Sequence, residues 1–122
     1  MTESSLDFTV DEELVNQIVE LSLQKRAKNL VVLDLRGLSA FTDFFLICHG
    51  ESEPQVKAIT DHIRKSTKMK PRHIEGYESK SWILLDYFDV VVHIFKKGDR
   101  EFYGLERLWA DAPKKHVINE KD

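Results

Sequence analysis

The chain reads as a single α/β domain, a mixed β-sheet packed with helices in the order α-β-β-α-β-β-α. Two observations carry that reading. First, residues 81–95 hold two short apolar runs, 82–85 (WILL) and 90–95 (VVVHIF), parted by Asp86-Tyr87-Phe88-Asp89. Val and Ile are stiff at χ1 and suit a pleated surface, and runs this short and close predict an antiparallel hairpin. Nearly every residue in both runs is apolar, so both faces of the hairpin should be covered, leaving the polar corner to meet water or a partner. Second, stretches with helical spacing alternate with other short apolar runs along the chain, and that alternation marks helices packed on a sheet.

The elements follow in order. Residues 1–8 are polar and read as a flexible N-terminus. Thr9 and Glu12 fit a capping box, with Thr9 as N-cap, and Leu14, Val15, Ile18, Leu21 and Ser22 then form one helical stripe. Residues 30–35 (LVVLDL) have the pattern of a buried strand, broken at Arg36-Gly37-Leu38-Ser39, and residues 44–48 give a second one ended by Gly50. Ser52, Pro54 and Gln55 predict the start of another helix: Ser52 caps it, Pro54 stands in the first turn where its missing N–H is harmless, and Gln55 is at N3. Val56, Ile59 and Ile63 give its buried stripe, to about Lys68. A basic connector and a short strand near residues 73–75 lead to the hairpin. Beyond it Asp99 can cap a helix over 100–109 with Phe102, Leu105 and Trp109 on one face and Leu108 on its flank. Pro113 stops it. Residues 9–112 then form the domain and 113–122 a flexible tail.

A chain of 122 residues with 42% hydrophobic and 32% charged residues can bury a real core, and suits a globular domain. A formal net charge of −3 gives no overall basic field, so any RNA contact has to be local. The single Cys48 cannot close an intramolecular disulfide, which suits a reducing cytoplasm. Residues 1–10 carry Glu3 and Asp7, no Arg or Lys and no apolar run. Neither a secretory signal nor a transit peptide is expected, and no segment approaches the ~20 apolar residues of a membrane helix.

Catalytic chemistry finds little purchase. Asp86 and Asp89 are the best-placed carboxylates, but a turn favours Asp there for its own hydrogen bonding. Cys48, His49, His62, His73 and His93 are scattered without metal-ligand spacing, so no metal and no cofactor are expected. His93, inside an apolar strand, reads as a hydrogen-bonded, partly buried histidine. Gly37 and Gly50 are isolated, Ser39 has no assignable base, and Ser52 is already a cap. Arg64, Lys65, Lys68, Lys70 and Arg72 cluster at the end of the second helix, where some complement its dipole, and no aromatics are interleaved among them to stack on bases. The aromatic residues gather instead in the last third: Trp82, Tyr87, Phe88, Phe102, Tyr103 and Trp109. Tyr103 departs from the Phe102–Leu105–Trp109 stripe and Tyr87 stands at a polar corner. With Asp86, Asp89, Glu101 and Glu106 nearby, they suggest an acidic, amphipathic patch for docking on a basic protein.

The run WILLDYFDVVVHIF, followed by REFYGLERLW, closely resembles the ribosomal silencing factor (Iojap) family. The stretches LVVLDLRGLS and TDFFLICHGES resemble its first two strands and the turn into its second helix, so the resemblance spans about residues 27–109. It implies a cytoplasmic translational repressor that binds the large ribosomal subunit through ribosomal protein number fourteen. There it blocks joining of the small subunit and lowers translation when nutrients are scarce. It also implies a nucleotidyltransferase-like fold without the catalytic carboxylates. The residues agree, because Gly37-Leu38-Ser39 interrupts the Gly-Ser turn and Asp86 and Asp89 are spaced D-x-x-D, which in a strand sends them to opposite faces. The expected partner-binding residues are Trp82, Tyr87 and Tyr103 as apolar anchors, with Asp86 and Glu106 pairing to Arg or Lys of the partner. A minor ribosomal RNA contact and a homodimer in the free protein are compatible with this. The alternatives are a nucleotidyltransferase-like nucleotide-binding enzyme and an RNA-binding module using residues 65–72.

Overall fold

The two apolar runs of residues 81–95 do pair as a hairpin, and the rest of the sheet grows outward from it. The structure, a computed structural model, describes residues 13–117. Its elements are α1 (Glu13–Gln24), β1 (Lys28–Asp34), β2 (Phe44–Gly50), α2 (Glu53–Ser66), β3 (His73–Glu75), β4 (Trp82–Asp86), β5 (Val90–Lys96), α3 (Asp99–Tyr103), α4 (Leu105–Leu108) and β6 (Lys114–His116). The strands form one sheet in the order β3-β4-β5-β2-β1-β6. Only β2 and β5 run parallel; the other neighbours are antiparallel. The predicted mixed sheet is the observed one.

Each helix covers the face its stripe predicts. Val15, Ile18, Leu21 and Ser22 of α1 and Val56, Ile59, Thr60 and Ile63 of α2 are buried. They pack on Val32, Phe44, Leu46, Cys48, Ile83, Leu85, Val92 and Ile94, which alternation turns to one face of the sheet. Burial in this core pushes the Cys48 thiol up to about 12, so it remains protonated. Ser52 caps α2, its Oγ accepting from the Gln55 amide at 3.3 Å, and Gln55 Oε1 accepts from the Glu51 amide at 2.6 Å. The capping box proposed at Thr9, and the flexible segment 1–8, lie outside the described residues.

The chain's last part departs from expectation in two places. Residues 100–109 are not one helix. Gly104 takes the left-handed conformation at φ 61° and splits them into α3 and α4, and Asp99 is the first helical residue, following Gly98, which makes no side-chain cap. The stripe across 102, 105 and 109 therefore never forms. Leu105 is buried, Trp109 is half-buried, and Phe102 and Leu108 are exposed at 78% and 76%. The expected tail, residues 113–122, is a strand in its described part, with residues 118–122 outside the described residues: β6 pairs along β1 at His116–Val31, Lys115–Val32 and Lys114–Leu33. Main-chain bonding holds it there: Asp34 donates to the Pro113 carbonyl at 2.9 Å and Val117 to that of Leu30 at 2.8 Å. A strand that buries none of its side chains leaves no apolar pattern to read.

Candidate partner-binding face

The second face of the sheet carries Phe45, Ile47 and His49 from β2, Trp82, Leu84 and Asp86 from β4, and Val91, His93 and Phe95 from β5, as their registers require. Only part of it is covered. Leu105 and Ala112 pack with Val31, Leu33, Leu35, Ile47 and Phe95, roofing the β1–β2 side. Toward β4 the roof ends, and Trp82, Leu84, Asp86 and Val91 are only half-buried.

A continuous row of rings crosses this face. Phe102 meets Tyr103 at 5.2 Å between centroids, Tyr103 meets Trp82 at 4.9 Å, and Trp82 meets His93 at 5.9 Å. His93 meets Phe45 at 4.4 Å, and Phe45 meets Trp109 at 5.9 Å. The outer end is open, with Tyr103 46% exposed beside Phe102. A hydrogen bond fixes the middle: Trp82 Nε1–H donates to His93 Nδ1 at 3.0 Å. Burial pushes the imidazole down to about 3, so the ring is neutral and its proton sits on Nε2. Phe45, His93 and Phe102 enter the face without having been predicted there. Phe45 and His93 are read from strand alternation once β2 is known to lie beside β5, whereas the exposure of Phe102 follows from the break at Gly104.

The five residues expected at the partner site separate into three places. Trp82 and Tyr103 come together in the row. Asp86 shares their face of the sheet, but its carboxylate is engaged internally: Oδ1 accepts from the Phe88 amide at 2.8 Å and Oδ2 from Arg72 Nε at 3.2 Å. Tyr87 is not an exposed anchor. It is 3% exposed on the helix side of the sheet, and its hydroxyl is 3.0 Å from Thr67 Oγ1. Alternation continued past Asp86 sends it to the side of Leu85. Glu106 holds Arg100, accepting from Nε at 2.9 Å and from Nη2 at 3.1 Å, and the guanidinium keeps its carboxyl below the usual range. It lines a separate cleft of about 990 Å³ beyond the carboxyl ends of β2 and β5, together with Lys28, His49, Lys97, Arg100 and Arg107. Among the described residues, no three His, Cys, Asp or Glu side chains gather as metal ligands, and no helix is long and apolar enough to cross a membrane.

Residues 9–122 match the protein family described as "Ribosomal silencing factor during starvation". The chain belongs to the ribosomal silencing factor family. It is 44% identical over 106 residues to the ribosomal silencing factor of Halalkalibacterium halodurans, covering 84% of this chain and 91% of that one. A crystal structure of a Bacillus halodurans protein superposes with a TM-score of 0.75 at 40% identity, over 87% of this chain and 99% of that one. A mouse protein named "mitochondrial assembly of ribosomal large subunit protein 1" is 30% identical over 101 residues, covering 78% of this chain and 44% of that protein. The relatives of this silencing-factor chain thus include bacterial ribosomal silencing factors and a protein named for assembly of the ribosomal large subunit.

Proposed function

We propose that this protein represses translation by docking its aromatic face on the large ribosomal subunit. The contact is through ribosomal protein number fourteen, and the small subunit is sterically kept from joining, so that translation falls when nutrients are scarce. The observation that carries the reading is the open end of the ring row. Trp82, Tyr103 and Phe102 present a large, rigid apolar surface outside the roof that Leu105 and Ala112 provide, and aromatic anchors of this kind dominate protein interfaces. Family membership supports the ribosome as the target, and the mouse relative's name points to the large subunit.

In this reading Trp82 and Tyr103 touch the partner and Asp86 lies at the rim. Tyr87 and Glu106 act from beneath, fixing the corner and α4. The protein works in the cytoplasm by occupancy, with no covalent step and no cofactor. When free, two copies can bury the same face against each other.

Co-sedimentation with isolated large subunits, small subunits and joined ribosomes tests the proposal. Binding is expected to free large subunits alone, with joining inhibited in proportion. Tyr103→Ala combined with Phe102→Ala should weaken binding about thirtyfold, or ~2 kcal/mol, with only a modest fall in the melting temperature, because Phe102 is 78% exposed and Tyr103, though packed on Trp82, is 46% exposed. Unaltered binding by a folded double variant moves the docking face elsewhere.

A further inference from the structure

We infer that the corner formed by Arg72, Asp86 and Phe88, beside the basic end of α2, is a second contact surface that takes an unpaired stretch of RNA. It adjoins the aromatic face at Asp86, but Arg72, Phe88, Lys65 and Lys68 are outside that face's ring row, and the contact does not depend on which ribosomal protein the face meets.

Sequence alone leaves the five cations at 64–72 without an aromatic neighbour; the fold supplies one. Thr67 at the end of α2 bonds the Tyr87 hydroxyl at 3.0 Å, and the Arg72 amide donates to the Asp86 carbonyl at 2.8 Å. These bonds bring the basic loop against the β4–β5 corner. There the Arg72 guanidinium lies over the Phe88 ring, Cζ to centroid 4.6 Å, while its Nε is held by Asp86. Asp86 thus aims both partners, receiving the Phe88 amide on its other oxygen.

Phe88 itself is in the left-handed region at φ 84° and 54% exposed. A bulky residue there costs on the order of 1–3 kcal/mol, and this ring recovers none of it by core packing. Such strain is retained where it serves a site, and here it holds one aromatic plane outward with an arginine stacked on it. A second exposed ring stands on the adjoining loop: Phe41 is 86% exposed, and that loop is tied to the corner where Asp43 and Phe44 donate to the Asp89 carbonyl at 2.9 and 3.0 Å. Not every cation is committed. Arg64 pairs with Asp61 and Lys70 caps the Arg64 and Lys65 carbonyls, but Lys65 and Lys68 extend into solvent. Cations concentrated on one corner of a chain of net charge −3, next to stacked planes, match the phosphates and bases of single-stranded RNA.

Fluorescence anisotropy of the free protein with a labelled short oligouridylate tests this without ribosomes, so its failure is separate from any failure to bind the large subunit. Wild type should bind at low salt and prefer the single strand over a duplex of equal length. Phe88→Gly accepts the backbone conformation without strain, so it keeps or raises stability, and it should lower affinity about tenfold by removing the stacking plane. Lys65→Gln with Lys68→Gln should flatten the salt dependence by about 0.7 in log–log slope per lysine. No binding by the wild type, equal binding of duplex, or binding that Phe88→Gly and the lysine pair both leave intact overturns the assignment.

Discussion

His93 is enclosed between Phe45 and Trp82 in the middle of β5, and it is the buried ionisable group at the centre of the ring row. The Trp82 indole N–H occupies Nδ1, so the neutral ring must carry its proton on Nε2, and protonating Nδ1 would break that bond. Burial drops its pKa from about 6.5 to about 3. A base with a depressed folded pKa contributes stability that is complete above the unfolded value and lost as pH falls toward the folded one. Across that window the slope approaches about 1.4 kcal/mol per pH unit. Urea unfolding at pH 7 and pH 5.5 should therefore show wild type losing about 1 kcal/mol more than His93→Phe does. Equal losses would mean that His93 takes up its proton as readily in the folded protein as in the unfolded chain. The strand pattern around His93 already marks it as buried and hydrogen-bonded. Tyr87 was legible by the same rule, since it stands two residues after Leu85, but Asp86 and Asp89 around it suggested a surface. What no pattern could give is the partner of each hydrogen bond: Asp86 looks like a free carboxylate until Arg72, 14 residues earlier, is folded onto it.

At the scale of elements, the strongly periodic pieces were readable and the short irregular ones were not. Both long helices and the four inner strands announce themselves, because each carries a full apolar stripe or run. The expected cover on both faces of the hairpin is only half present at β4, where Trp82 and Leu84 are half-buried. The α3–α4 break depends on one glycine adopting φ 61°, and β6 depends on main-chain pairing, so neither leaves an apolar period. The link between β3 and β4 is likewise held by backbone geometry. Gly76 has φ 76°, and a Cβ there would run into the Trp82 carbonyl, a backbone atom with no rotamer to escape through. Gly76→Ala should thus cost roughly 2 kcal/mol or more, combining the left-handed penalty with displacement of β4 at Trp82. Because Trp82 anchors the ring row, affinity for large subunits should fall along with the melting temperature. A variant that melts like wild type would show that the turn can relax without moving β4.

Over the whole molecule, one sheet divides the work between its faces. α1 and α2 close the first face over its inner strands and provide most of the core, leaving Ile74 and Val117 at its edges partly buried. Leu105 of α4 and Ala112 after it close only the β1–β2 side of the second, and the open part, toward β4, is the docking surface proposed above. The arrangement requires the far edge of the sheet to be blocked as well, since an unpaired strand edge invites other chains. β6 does this for β1, with Lys114 and His116 facing water, Lys115 half-buried, and cations guarding the new edge. Removing the chain from Lys114 onward should strip several main-chain bonds worth about 2 kcal/mol together, lowering the melting temperature by roughly 5 °C or more. It should also make the protein associate as its concentration rises, through β1 and not through the aromatic face. The two routes separate experimentally: self-association of the truncated chain should persist when Tyr103→Ala and Phe102→Ala are added, and its remaining monomer should still bind large subunits. If the truncated chain melts like the full one and stays monomeric, β6 is an incidental pairing and the edge of β1 is protected by something else.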